Sequence, residues 1–289
     1  MRILMVHGRS QGGKVADEVR DIWAKTLQRG FAAANVVWPA GIALDFPYYA
    51  DVLDALAVKA ALPDTENVIA KGSGSNAPFE QFLQSALAEM QLNAAISDVE
   101  VQAALDPAAP QEKGVQNWWW VQAIARTIDR RLHHTANFTI ERFLRDVYVY
   151  VTQRDVTQRV NAIVEAALTS EPTIVIGHSL GSVVAYNVLR ANRSRLDLRA
   201  FITVGSPLGL RAISSKLGIV ENPAGAGNWY NAYDQRDVVA LNPLSDRYFP
   251  ADPAIENSNH VRNETGNRHG IVGYLNDVDV AARIAAALE

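Results

Sequence analysis

The chain has 289 residues, 48% hydrophobic and 20% charged, with a formal net charge of -4 at pH 7. That is enough apolar content for a substantial core, and it offers no basic field for nucleic acid. There is no cysteine, which excludes disulfides, thiolate catalysis and thiolate metal sites.

No apolar run approaches the roughly 20 residues of a membrane-crossing helix, so no integral membrane segment is expected. Met1 to Gly8 is too short for a signal-peptide core and reads as a strand of the mature protein, which places the expected location in the cytoplasm. Ile3 to Val6 is continuous and apolar, like a central parallel strand. A flexible loop, His7 to Gly13, leads into a predicted helix from Val15 to Leu27 with Val19, Ile22, Trp23 and Leu27 on one face. Gly30 is expected to end it. Asn35 to Pro39 is the candidate second strand, completing a βαβ unit. The aromatic stretch from Asp45 to Leu53 then falls near the carboxyl ends of the strands, where open α/β sheets bind ligands. Tyr48 and Tyr49 either line a pocket there or pack.

Between about Ala60 and Arg154 the strand pattern disappears. Lys71 to Pro78 reads as a loop with Gly72 and Gly74, and Leu105 to Pro110 as a break. Helical stripes lie at Phe79, Phe82, Leu83, Ala86, Leu87 and Met90, at Trp120, Ile124 and Ile128, and at Ile140, Phe143, Leu144, Val147, Tyr148 and Val151. Trp118, Trp119 and Trp120 cannot all face one way on a helix, so at least one should meet a cleft, a partner or a lipid interface. Val156 to Leu168 is a further amphipathic helix. The strand pattern returns at Thr173 to Ile176, Leu198 to Val204, Trp229 to Tyr233 and Asn257 to Val261, and Asp277 to Leu288 is the closing helix.

After the Thr173–Ile176 strand comes Gly177-His178-Ser179-Leu180-Gly181, a G-x-S-x-G, and then an apolar helix from Ser182 to Leu189. Strand, sharp turn and helix make this pattern a nucleophile elbow. The serine needs a strained backbone, and side chains at Gly177 and Gly181 would collide with the turn. With His7-Gly8 after an early strand, the chain resembles the α/β-hydrolase fold and its lipase- and esterase-like serine hydrolases. The resemblance implies a mostly parallel sheet with helices on both faces. Two edge strands that often precede the first strand would be missing. The core would comprise residues 1–59 and 155–289, and residues 60–154 would form a helical cap or lid hinged at Gly72 to Ser75. The rivals for that insertion are a packed extra layer and an oligomer interface.

A serine hydroxyl needs a base within hydrogen-bond reach, and the base needs an anion to orient it. In this fold the order is serine, acid, histidine. Ser179 is followed by Asp234 and Asp237 in the turn after the Trp229–Tyr233 strand. Asp237 heads Asp-Val-Val-Ala, which resembles the Asp-x-Val that carries the acid in related lipases, though their usual proline is absent. His269 and His260 compete as base. His269 lies in a glycine-flanked loop followed by Tyr274, as in the family's His-x-x-x-x-Tyr-like tail. The oxyanion donors implied are the amides of Leu180 and of Arg9 or Ser10. His7 and His178 are assigned shaping roles, His133 and His134 the surface, and Ser206 the Gly-Ser-Pro turn.

The function expected is cleavage of a carboxylic ester through an acyl-enzyme. The substrate would be a small molecule or a lipid such as a phospholipid, with Tyr48, Tyr49, Trp119 and Trp120 as candidate substrate contacts and transient membrane-surface contact allowed. No cofactor or metal is called for. The rival readings are acyl transfer or thioester hydrolysis by the same triad, and a catalytically silent binding or signalling module.

Overall fold

The computed structural model of the chain describes residues 1–9, 11–60, 62, 77–105, 118–132 and 139–289. Six strands form one sheet: β1 (Arg2–Val6), β2 (Ala43–Asp45), β3 (Thr173–His178), β4 (Leu198–Val204), β5 (Trp229–Ala232) and β6 (Glu256–Ser258). Their order is β2-β1-β3-β4-β5-β6, and every neighbouring pair is parallel. The helices in chain order are α1 (Ala16–Ala33), α2 (Ala50–Lys59), α3 (Ala77–Asn93), α4 (Asp98–Gln102), α5 (Trp118–Leu132), α6 (Ile140–Thr152), α7 (Arg154–Glu165), α8 (Leu180–Asn192), α9 (Arg211–Ser214), α10 (Ile271–Leu275) and α11 (Val278–Ala286).

Strand side chains alternate between the two faces. Ile3, Met5, Ile174, Ile176 and Ile202 join α1, α10 and α11 in one apolar cluster. Leu4, Val6, Val175 and Phe201 join α2, α3, α5, α6, α7 and α8 in the other. With both faces covered, the central strands β1, β3 and β4 read as near-continuous apolar runs. The described helices between α2 and β3 thus share a single core with the sheet. Phe79, Phe82, Leu83, Ala86, Leu87 and Met90 of α3 are all buried in it, as are Ile140, Phe143, Leu144 and Val147 of α6.

The chain leaves β1 for α1 on one face and leaves β3 for α8 on the opposite face. Two adjacent parallel strands whose connections diverge leave a crevice at their carboxyl ends, the position where such sheets bind ligands. Both His7-Gly8 and Ser179 lie there.

Three expectations are corrected. The second strand is Ala43–Asp45, not Asn35 to Pro39. Asn35 takes φ 56°, and the Val36 amide bonds back to the Phe31 carbonyl at 2.9 Å, so this stretch is spent closing α1. Val36 and Trp38 pack without pairing, Trp38 edge-on to Phe31 at 5.0 Å, and Val37 is exposed. Gly30 does not end α1, which runs on to Ala33. It is a contact point, because a Cβ there would run into the Leu275 carbonyl and lie 3.2 Å from the Ala281 Cβ. The last strand ends at Ser258, so His260 lies beyond it. The predicted loops over residues 71–76 and 106–110, with His133 and His134, lie outside the described residues.

Alanine favours a helix interior over glycine by about 1 kcal/mol. Gly30→Ala should nevertheless lower stability, by about 1–3 kcal/mol, since the added methyl overpacks the contact with Leu275. The urea unfolding midpoint reads this directly, and a rise in midpoint would contradict it.

Candidate active site

Ser179 joins β3 to α8 with φ 55° and ψ -132°, a conformation that costs a non-glycine residue about 1–3 kcal/mol. Its neighbours hold it there. A Cβ on Gly177 would sit 2.8 Å from the Ser182 Cα, and one on Gly181 would collide with the carbonyls of Val6 and His7. The Ser182 hydroxyl donates to the Ser179 carbonyl at 2.6 Å and meets the Ser206 hydroxyl at 2.7 Å. Leu180 is the first residue of α8, so its amide is among those that the helix itself cannot pair.

Three residues distant in sequence converge on this turn. The Ser179 Oγ lies 2.8 Å from the His269 Nε2, and the His269 Nδ1 lies 2.7 Å from the Asp237 Oδ2. All three are buried. The Asp237 carboxylate also accepts the Tyr274 hydroxyl at 2.7 Å and the Val239 amide at 3.0 Å. Burial pushes the Tyr274 phenol well above its ordinary range, so it remains a donor. The carboxylate fixes the proton of His269 on Nδ1 and leaves Nε2 free to accept from the serine. The Nε2 of His178 donates to the His269 carbonyl at 2.8 Å. Burial drives the imidazole of His178 well below its ordinary pKa. The Phe143 ring of α6 stands edge-on to His269 at 6.1 Å.

The other candidates are elsewhere. Asp234 takes a forked contact from Arg236, with the guanidinium Nη2 at 2.9 Å and Nε at 3.1 Å, and accepts the Asn263 amide at 2.7 Å. Burial raises its carboxyl, but the Arg236 guanidinium and the amides of Arg236 and Asn263 outweigh this and leave it below its ordinary pKa. His260 is exposed and pairs with Asp279 at 3.1 Å.

Against Ser179 lies the loop after β1; a Cβ on Gly8 would be 2.7 Å from the Ser179 Cβ. His7 is fully buried beneath it. The Tyr49 amide donates to the His7 Nε2 at 3.1 Å, so the Nδ1 carries the proton and donates to the Gly8 carbonyl at 2.7 Å. Burial lowers this imidazole to a pKa of about 4. Tyr49 is fully buried, stacks on His7 at 4.1 Å and gives its hydroxyl to the His7 carbonyl, while Tyr48 gives its own to the Gln11 carbonyl. The Arg9 guanidinium pairs with the buried Asp146 of α6. Ser10 lies outside the described residues. Trp120 is buried in the apolar cluster and Trp119 is half-buried, both on α5, which packs against α3 and α4.

No family model, curated protein or solved structure matches the chain. The chemistry therefore rests on the site itself. Among the described residues no helix is long and apolar enough to cross a membrane, and no group of three or more His, Asp or Glu side chains converges to hold a metal ion.

Two site residues escaped the sequence reading. Asp146 falls three residues after Phe143, on the apolar stripe of α6, and an acid in that position is itself a signal of a buried partner. Asn263 gives no local signal.

Neutral burial of His7 ties stability to pH. Its folded pKa of about 4 lies below the unfolded value of 6.5, so the unfolded chain binds the extra proton between these limits. Stability is fully present above pH 6.5, falls as pH drops through this window, and has lost about 3 kcal/mol from this group below pH 4. His7→Gln should remove that component. Urea unfolding of both proteins at several pH values measures it, and parallel stability–pH curves would contradict it.

Proposed function

We propose that the chain is a serine hydrolase of the α/β-hydrolase type that cleaves carboxylic esters through an acyl-enzyme. The continuous hydrogen-bond chain from Ser179 through His269 to Asp237 carries this reading. The order supports it too: the serine follows β3, the acid follows β5 and the histidine follows β6.

The Ser179 Oγ attacks the ester carbonyl as His269 Nε2 takes its proton. The imidazolium is held by the Asp237 carboxylate. The negative charge on the carbonyl oxygen falls to the amides of Leu180, at the head of α8, and Arg9, on the loop against Ser179. Collapse of the adduct expels the alcohol, which recovers the proton from Nε2. A water activated by His269 then frees the acid and the serine. Phe143 and the apolar helices beside it give the acyl group a hydrophobic wall, so esters with apolar acyl chains are the preferred class. Each buried methylene is worth about 0.8 kcal/mol, and a chain-length series of esters reads that preference.

A fluorophosphonate probe should phosphonylate Ser179 and no other residue. Ser179→Ala should abolish labelling and lower kcat by roughly 10⁴ to 10⁶ with folding intact. Labelling of the wild type elsewhere, or undiminished turnover in the variant, would sink the proposal.

The two aspartates separate the roles further. Asp237→Asn should cost about 10⁴ in kcat by presenting the wrong tautomer of His269, while Asp234→Asn, which leaves the contact to His269 in place, should cost far less. The reverse ranking would move the acid to Asp234.

A further inference from the structure

The loop that carries His269 has no secondary structure of its own, yet its backbone carbonyls converge on one side chain. The Asn263 Nδ2 lies 3.1 Å from the Asn267 carbonyl, 2.8 Å from that of Arg268 and 3.0 Å from that of Gly270. An amide has two protons, so the three carbonyls share them, and those on both sides of His269 are drawn to one point. The Asn263 Oδ1 accepts from the Thr265 amide at 3.1 Å and hydroxyl at 2.5 Å, and that hydroxyl also reaches the Asn267 carbonyl at 2.9 Å. Asn263 is buried, and a Cβ on Gly273 would collide with it.

Asn263 is in turn fixed by the aspartate that the triad does not use. Its amide donates to Asp234, whose carboxylate is forked by Arg236. The Asp234 amide donates to the Tyr274 hydroxyl at 3.3 Å, and that hydroxyl donates to Asp237. One frame therefore reaches both members of the base–acid pair.

We infer that Asn263, anchored by Asp234, is a positioning residue that sets the His269 imidazole between Ser179 and Asp237. The inference rests on the proposed triad but makes its own claim. Asparagine fits where others do not: it supplies donors to the loop carbonyls and an acceptor to Thr265 from one short side chain. Aspartate has the same shape and keeps the acceptor, but it turns an oxygen toward three carbonyl oxygens.

The test compares wild type, Asn263→Asp and Thr265→Val on three readouts: fluorophosphonate labelling of Ser179, ester kinetics, and the downfield proton resonance of the His269 Nδ1–H bonded to Asp237. Misplacement of a catalytic group by about 1 Å costs on the order of 10² in rate. Asn263→Asp should thus lower the labelling rate and kcat by about 10²-fold, leave KM nearly unchanged, and broaden or abolish the resonance while the protein still unfolds cooperatively. Thr265→Val, which removes only the outer hydroxyl, should show a several-fold loss in the same direction, and it decides the matter if Asn263→Asp does not fold. A sharp wild-type resonance and wild-type labelling in the folded variants would overturn the frame while leaving the hydrolase reading standing. If wild type itself does not label at Ser179, the hydrolase reading fails and the resonance alone judges the frame: loss of the signal in the variants upholds it, and an unchanged signal overturns it.

Discussion

The close approach of the end of β1 to the start of α8 is the constraint on which the site depends. Gly181 lies against the carbonyls of Val6 and His7, and Gly177 against Ser182, leaving no room for a side chain at either position. Only with both glycines does the chain turn sharply enough for Ser179 to hold φ 55°. The same approach brings Gly8 against the serine. The strain at Ser179 is small beside the packing that encloses it. β3 is buried along its whole length, and Leu180, Val183, Val184, Ala185, Tyr186, Val188 and Leu189 of α8 are buried with it.

A buried carboxylate is costly unless its oxygens are satisfied. Asp237 meets that requirement with His269, Tyr274 and the Val239 amide. Asp234, three residues earlier in the same turn, meets it with Arg236 and Asn263. Two similar acids thus acquire different parts from their surroundings. One is neutralised by a cation and locked into the scaffold. The other has an imidazole as its titratable neighbour, the arrangement in which an acid stabilises a transient imidazolium.

The helices between α2 and β3 are tied to the site by more than apolar contact. Phe143 borders His269, and Asp146 holds Arg9 on the loop beside the serine. Burial raises the carboxyl of Asp146, partly offset by Arg9. Removing either partner of such a pair leaves an uncompensated charge inside the protein. The described part of this segment is therefore coupled, in energy as well as in space, to the loop after β1.

What the sequence determined by itself is what local patterns decide. The apolar runs of β1, β3 and β4 and the helical stripes of α3, α5 and α6 were legible because burial periodicity is written residue by residue. So was the turn at Ser179, because its glycines stand within two residues of it. The stretch from Asn35 to Pro39 misled for the same reason: its apolar residues look like a strand, but whether they pair or pack depends on where α1 stops. Gly30 misled likewise, since its role is contact with Leu275, 245 positions away by their numbers in the chain. Only the tertiary structure decided which of Asp234 and Asp237 faces His269, that Asp146 reaches Arg9, and that Asn263 gathers the His269 loop. Asp237 and His269 stand 32 positions apart, and Arg9 and Asp146 137 apart, so packing alone brings each pair together. Asn263 lies within seven residues of the carbonyls it gathers, but it is fixed there by Asp234, 29 positions away, so the loop takes its form only against the turn after β5.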